Sequence, residues 1–163
     1  MKHSIRDEMP FYHPEAVKFL SSVIKPDWKV LETGCGSSTI WFALHAQQVI
    51  TFEHSKLWHT RAAELLEERG IKNVDLRFAP TYPWTGIQDS KEGEFDLIAV
   101  DGSKESRVKS VKTAHAFLKS GGYLLLDDTD YSYYDEAKEL LKDWERFHFG
   151  GKKRHATTIW RKP

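Results

Sequence analysis

The run Val30-Leu31-Glu32-Thr33-Gly34-Cys35-Gly36-Ser37-Ser38-Thr39 restricts the fold of this chain more than any other stretch. An apolar strand stops at an acid, and two glycines one residue apart follow. Hydroxyl residues then open an apolar helical run, Ile40-Trp41-Phe42-Ala43-Leu44. Glycine lets the main chain turn sharply and lets a ligand lie on bare backbone. The first turn of the new helix offers unpaired N–H groups to whatever occupies the bend. Strand, glycine turn and helix in this order outline a nucleotide-type site at the carboxyl end of a strand.

Around this turn, strand-like and helix-like stretches alternate, the pattern of an α/β fold with a parallel sheet. Residues 1–13 read as a loose arm. Pro14 sits at the first position of a helix whose apolar stripe is Ala16, Val17, Leu20, Val23 and Ile24, ended by Pro26. Strands are expected at 28–32, 49–53, 74–78, 95–100 and 123–126. The helices between them start at 38, at Ser55 as a cap, and near Val108, with His115 on the last one's apolar stripe as a buried, hydrogen-bonded histidine. Gly70 stops the second of these, and Gly121-Gly122 separates the third from its strand. A further helix is expected over 134–147 with Ala137, Leu140, Leu141 and Trp144 inward. Two strands, 146–149 and 156–162, then close the chain around Gly150-Gly151. Residues 79–94, rich in Pro, Gly, Thr and Asp, form a long connection of the kind that is usually functional.

Length and charge set outer limits. A chain of 163 residues makes one domain, 1–163. Lys plus Arg and Asp plus Glu are equal at 24 each, which argues against a dominant nucleic-acid footprint. One cysteine, Cys35, excludes an intramolecular disulfide. It suits a small side chain between glycines, with a reactive thiol as the alternative. No apolar run approaches the ~20 residues that span a bilayer, and residues 1–9 do not form a signal peptide. The expected location is the cytoplasm, with no membrane partner.

Parallel strands bring their carboxyl ends to one edge of the sheet, so the residues there can be read together. They are Glu32 and the glycine turn, Glu53 and His54, Ala79 and Pro80, Asp101-Gly102-Ser103, and Asp127-Asp128. Glu53 follows the glycine turn by about 20 residues, where an acid can accept both hydroxyls of a ribose. Glu32 and Asp101 flank the turn and suit a cofactor carrying positive charge. Ala79 and Pro80 could wall an adenine slot, with Trp84 as a lid. Asp101, Asp127 and Asp128 would repel one another unless a cation sits among them, and oxygen-only ligands suit Mg²⁺. Plainer readings stay open: Glu32 as a cap of the following helix, Glu53 as an ordinary strand-end acid, Asp127 or Asp128 as a turn cap. Lys104, Arg107, Lys109 and Lys112 read as the wet face of a helix, with Lys104 next to the site. Lys152-Lys153-Arg154 reads as a solvated turn.

These residues resemble the class I S-adenosylmethionine-dependent methyltransferases. ETGCGSS resembles the first motif of that family, FEHS the second, FDLIAVDGS the fourth and LKSGGYLLLDD the stretch around the fifth strand. The similarity covers nearly the whole chain from Pro14. It implies a Rossmann-like, doubly wound, mostly parallel seven-stranded sheet of order 3-2-1-4-5-7-6 with a C-terminal antiparallel hairpin. It also implies S-adenosylmethionine against Glu32, Gly34, Gly36, Ser38, Glu53, His54, Ala79, Pro80 and Asp101. The VDG and LLDD pair looks most like the metal-assisted small-molecule O-methyltransferases, the catechol and cephalosporin-hydroxylase-like groups. There, acids matching Asp101, Asp127 and Asp128 hold a divalent ion. Two departures stand out: Lys104 replaces a histidine common in relatives, and little sequence precedes the first strand, where relatives often carry substrate-covering helices.

The resulting expectation is methyl transfer to a small-molecule hydroxyl. Asp101 takes part in catalysis, Lys104 serves as a base if burial lowers its proton affinity, and Mg²⁺ assists. Phe11, Tyr12, Tyr82, Trp84, Tyr131, Tyr133 and Tyr134 are candidates to line the acceptor pocket, and a homodimer could cover the site. A nicotinamide oxidoreductase fits less well, because its fingerprint wants a third glycine where Thr39 stands. A non-catalytic binding module on the same fold is the other alternative.

Overall fold

A computed structural model of the chain describes residues 9–81, 89–151 and 154–163. Tyr82, Trp84, Lys152 and Lys153, all named above, lie outside them. Among the described residues, five α-helices and seven strands follow in order: α1 Pro14–Val23, β1 Lys29–Thr33, α2 Ser37–His45, β2 Gln48–Glu53, α3 Lys56–Glu68, β3 Val74–Phe78, β4 Phe95–Val100, α4 Lys104–Ala114, β5 Leu118–Leu126, α5 Asp135–Leu140, β6 Glu145–Gly151 and β7 Arg154–Arg161. The strands make one sheet in the order β3-β2-β1-β4-β5-β7-β6, the expected topology. β3 through β5 pair in parallel. β7 runs antiparallel between β5 and β6.

Two apolar layers cover the sheet. Successive strand residues point to opposite faces, so Leu31, Ile98 and Leu124 join one layer with Val111 of α4 and Ala137 of α5. Val30, Leu97 and Leu125 join the other with Leu20 of α1 and Phe42 of α2. Ser37 through Ala43 of α2 are all buried, while Leu44 and His45 at its end are exposed. Ser55 caps α3 by accepting from the Trp58 amide at 3.4 Å, as expected.

Four expectations need correction. The helix over 134–147 is only α5, Asp135–Leu140. Leu140 is 42% exposed rather than inward, and the chain turns at 141–144 into β6, whose Glu145 pairs with Arg161. Pairing across the sheet overrides the helical propensity of that stretch. α4 ends at Ala114, and a 3₁₀ turn over His115–Phe117 follows. β5 therefore starts at Leu118, and Gly121-Gly122 lies inside it, where its register against β4 shifts. His115 is half-buried; its Nδ1 lies 2.8 Å from the Lys112 carbonyl. Finally, residues 9–13 are no loose arm. Pro10 and Tyr12 are buried, and the His13 amide donates to Thr157 Oγ1 on β7 at 2.9 Å. This strap crosses the carboxyl edge of the sheet.

Candidate active site

The strap, the glycine turn and the ends of β2, β4 and β5 enclose a cleft of about 490 Å³, within the usual range for small-molecule sites. Gly34, Gly36, Ser38, Glu53, His54, Asp101, Asp127 and Asp128 of the expected residues line it, together with Phe11, Cys35, Trp58 and His155.

On the β1–β2 side, the turn is built from backbone requirements. Gly34 has φ +85°, and a Cβ there would collide with the Asp101 carbonyl oxygen, so both conformation and space exclude a side chain. Gly36 differs: no atom lies within 4 Å of a Cβ built on it. Its bare main chain faces the open cleft. Glu53, only 3% exposed, accepts from the Cys35 amide at 2.8 Å and the Ser55 amide at 2.6 Å. His54 Nδ1 lies 3.1 Å away. Glu53 thus braces the glycine turn from β2 and still borders the cleft.

Glu32 does not reach the cleft. It is 0% exposed, and its two oxygens accept from the Ser38 and Thr39 hydroxyls at 2.5 Å each. It ties β1 to the first turn of α2 through side-chain hydroxyls and not through a main-chain amide, so it braces the helix start without capping it and is not among the residues that line the cleft. Burial pushes its carboxyl up to about 7, opposed by the hydroxyls of Ser38, Thr39 and Thr51. Burial also drives the Cys35 thiol far up, with the Glu53 and Glu32 charges adding to it. The reactive-thiol alternative therefore lacks its thiolate. Ala79 lines only a narrow neighbouring space, and Pro80 is exposed on the surface.

On the β4–β5 side the turns are held by charge. Arg107 of α4, read from the sequence as solvated, is only 8% exposed. Its guanidinium donates to Asp101 Oδ1 at 2.7 Å, Asp128 Oδ2 at 2.8 Å, the Asp127 carbonyl at 3.0 Å and the Gly102 carbonyl at 3.0 Å. Asp128 has φ +60°, a backbone state that non-glycine residues rarely adopt and that costs on the order of 1–3 kcal/mol. Asp127 Oδ1 accepts from Thr157 Oγ1 at 2.5 Å, the same hydroxyl that holds the strap. His155 Nδ1 lies 3.1 Å from Asp128 Oδ1. Burial raises Asp127 to about 6, Thr157 opposing and the Asp128 charge adding. Asp101 goes well above its ordinary value through burial and the Asp127 charge, against the pull of Arg107.

One oxygen from each of Asp101, Asp127 and Asp128 lies within 4.8 Å of the others, a spacing a divalent ion could bridge. The donor set nonetheless does not fit one well. Arg107 already takes an oxygen of Asp101 and of Asp128, and Thr157 takes one of Asp127. A second cation would meet the guanidinium at close range, where unit charges 4 Å apart repel by about 4 kcal/mol even at an effective dielectric of 20.

Lys104 is also not brought to the cleft. It is exposed, with Nζ 4.0 Å from the centre of the Tyr133 ring. Of the expected acceptor aromatics, Phe11 alone lines the cleft among the described residues. Tyr12 and Tyr134 belong to the core. Tyr131 and Tyr133 stack on each other, 5.0 Å apart at 12°. The sequence reading missed Arg107, yet a signal existed: it shares a helical stripe with the buried Ser110, Val111 and Ala114. An arginine on that stripe, opposite strand ends rich in acids, has reason to face inward.

A family model described as a methyltransferase domain matches residues 31–129. The ribosomal protein L11 methyltransferase of Thermosipho africanus is 28% identical over 114 residues. That match covers 68% of this chain and 41% of the relative, so the chain aligns with about two fifths of that protein's length. An rRNA methylase from Streptococcus thermophilus shares the fold with a TM-score of 0.76 at 15% identity, over 94% of this chain and 99% of that one. A methyltransferase candidate from Streptococcus mutans, solved with SAH, gives 0.75 at 16%, over 95% and 100%.

Proposed function

The chain belongs to the methyltransferase domain family, and on that premise we propose that it moves a methyl group from S-adenosylmethionine to a hydroxyl oxygen of a small molecule. The observation that carries this reading is Glu53. It is a nearly sealed carboxylate at the end of β2 that borders the cleft beside the open main chain of Gly36. Glu53 accepts the ribose hydroxyls with its remaining lone pairs. Gly36 leaves room for the donor to pass along the turn, and Asp101, across the cleft, faces the methionyl ammonium. The SAH bound in the Streptococcus mutans structure supports the choice of donor.

At the β4–β5 end the acids orient the acceptor. The acceptor oxygen attacks the methyl carbon in line, the carbon–sulfur bond breaks, and its electron pair stays on sulfur. Asp127, raised to about 6, takes the hydroxyl proton, since a base near the working pH serves best. Fixing donor and acceptor at ~3–3.5 Å removes roughly 7–11 kcal/mol of the barrier. Our reading gives Lys104 no part in the proton transfer.

The formal charge of zero and the two acids at the acceptor end favour a small acceptor over a phosphate backbone. The names of the relatives, an rRNA methylase and a ribosomal protein methyltransferase, favour a macromolecular one. Titration calorimetry with S-adenosylhomocysteine tests the donor site. The native protein should bind it, and Glu53→Ala should weaken binding roughly 10–100-fold, the worth of a charge-assisted hydrogen bond. No binding by the native protein would overturn the reading. Labelled donor offered to a metabolite pool and to ribosomes then separates the acceptors. Label in the small-molecule fraction supports our reading, and label in rRNA or ribosomal protein replaces it.

A further inference from the structure

We propose that Arg107 is the resident cation of the Asp101–Asp127–Asp128 cluster and takes the place of a divalent metal ion there. This rests on the proposed donor site only for where the cluster acts; the argument for Arg107 is geometric. Three carboxylates in one cleft need a positive charge among them. A guanidinium supplies it without depending on pH, because arginine stays protonated in proteins.

Its planar fork also does what a metal would do for geometry. Two nitrogens hold Asp101 Oδ1 and Asp128 Oδ2 at 2.7 and 2.8 Å, so the β4 and β5 ends are fixed against each other. The Nε and a further N–H bond to the Gly102 and Asp127 carbonyls, at 3.0 Å each. Four such bonds leave the head group little freedom. They also tether Asp128 in its left-handed conformation, φ +60°. The third acid, Asp127, is turned to Thr157 instead. Arg107 comes from the buried stripe of α4, so the cation is delivered by the packing of the helix rather than from solution. Arg107 is a positioning residue: it sets the side chain of Asp128 at the acceptor end and that of Asp101, which faces the donor.

The test is Mn²⁺ binding followed by electron paramagnetic resonance, which reads occupancy without an acceptor or turnover. The native protein should leave the signal of free Mn²⁺ undiminished up to about millimolar metal, and its affinity for S-adenosylhomocysteine should be the same in EDTA and in Mg²⁺. Arg107→Ala, freed of the guanidinium, should bind Mn²⁺ at least tenfold more tightly than the native protein. Arg107→Ala/Asp127→Asn should lose that gain. Arg107→Lys, which keeps a charge, should not show it. Tight Mn²⁺ binding by the native protein that Asp127→Asn abolishes would overturn the proposal, as would a folded Arg107→Ala with no gain. Should Arg107→Ala fail to fold, the native titration and Arg107→Lys still decide the matter. Should the native protein ignore S-adenosylhomocysteine, the donor assignment falls while the Mn²⁺ result stands on its own.

Discussion

The two halves of the cleft are held by different physics. At the β1–β2 end, Glu53 accepts two main-chain amides and Glu32 two hydroxyls. The turn there stands on glycine conformation and on neutral donors from its own neighbourhood. At the β4–β5 end a guanidinium from α4 joins Asp101 to Asp128. One half is nearly charge-free in its partners; the other is joined by an ion-pair network. The first is suited to gripping a ligand of fixed shape, the second to handling charge and protons.

The largest effect should come from Gly34→Ala. A methyl group there meets the Asp101 carbonyl at a positive φ, the place where the two halves touch. A loss of about 4 kcal/mol is expected in urea unfolding, from backbone strain and overpacking together. Gly36→Val sharpens the contrast. Its Cβ meets nothing, so stability should stay within about 1 kcal/mol of native. S-adenosylhomocysteine affinity should fall by a hundredfold or more, about 2.7 kcal/mol. Equal losses of stability in the two variants would erase the distinction between a glycine the fold needs and one the ligand needs.

Glu32 tests the β1–β2 half through pH. Its carboxyl is raised to about 7 in the folded chain, so the folded state holds a proton that the unfolded state has lost. Stability from this group therefore falls as pH rises from about 4.5 to 7 and is level above that. Glu32→Gln should remove that dependence. The thermal midpoint of the variant should gain on native protein between pH 5 and pH 8, by the equivalent of about 2–3 kcal/mol. A difference that is flat across this range would contradict the burial argument. The smallest effect belongs to Lys104→Ala. An exposed ammonium over one tyrosine ring is worth about 0.5–1 kcal/mol. Stability should drop by no more than that, and S-adenosylhomocysteine affinity should be unchanged.

What could be read from the sequence divides by the range of the contact. The alternation of strands and helices, the glycine turn, the Ser55 cap and the border positions of Glu53, Asp101, Asp127 and Asp128 follow from short-range patterns, whereas the strand order was implied by the family resemblance. The burial of Glu32 was not legible, because position alone does not say that Ser38 and Thr39 of the following helix reach back to it. Arg107 was missed because its partners lie on strand ends around it, and a helix written in charged residues reads as solvated until its buried stripe is known. The strap over residues 9–13 was unreadable for a similar reason. Its anchor, Thr157, is 144 residues away in the chain. α5 stops early because the residues after it enter the β6–β7 hairpin, a neighbouring pairing that outweighs their helical spacing.

The roles of both halves of the cleft turn on where the donor sits. A crystal structure of the protein grown with S-adenosylhomocysteine measures that directly. We expect the ribose hydroxyls within hydrogen-bond distance of Glu53, the chain of the ligand running over Gly36, and its amino group toward Asp101. Ligand density elsewhere on the molecule, or a ribose turned away from Glu53, would contradict it.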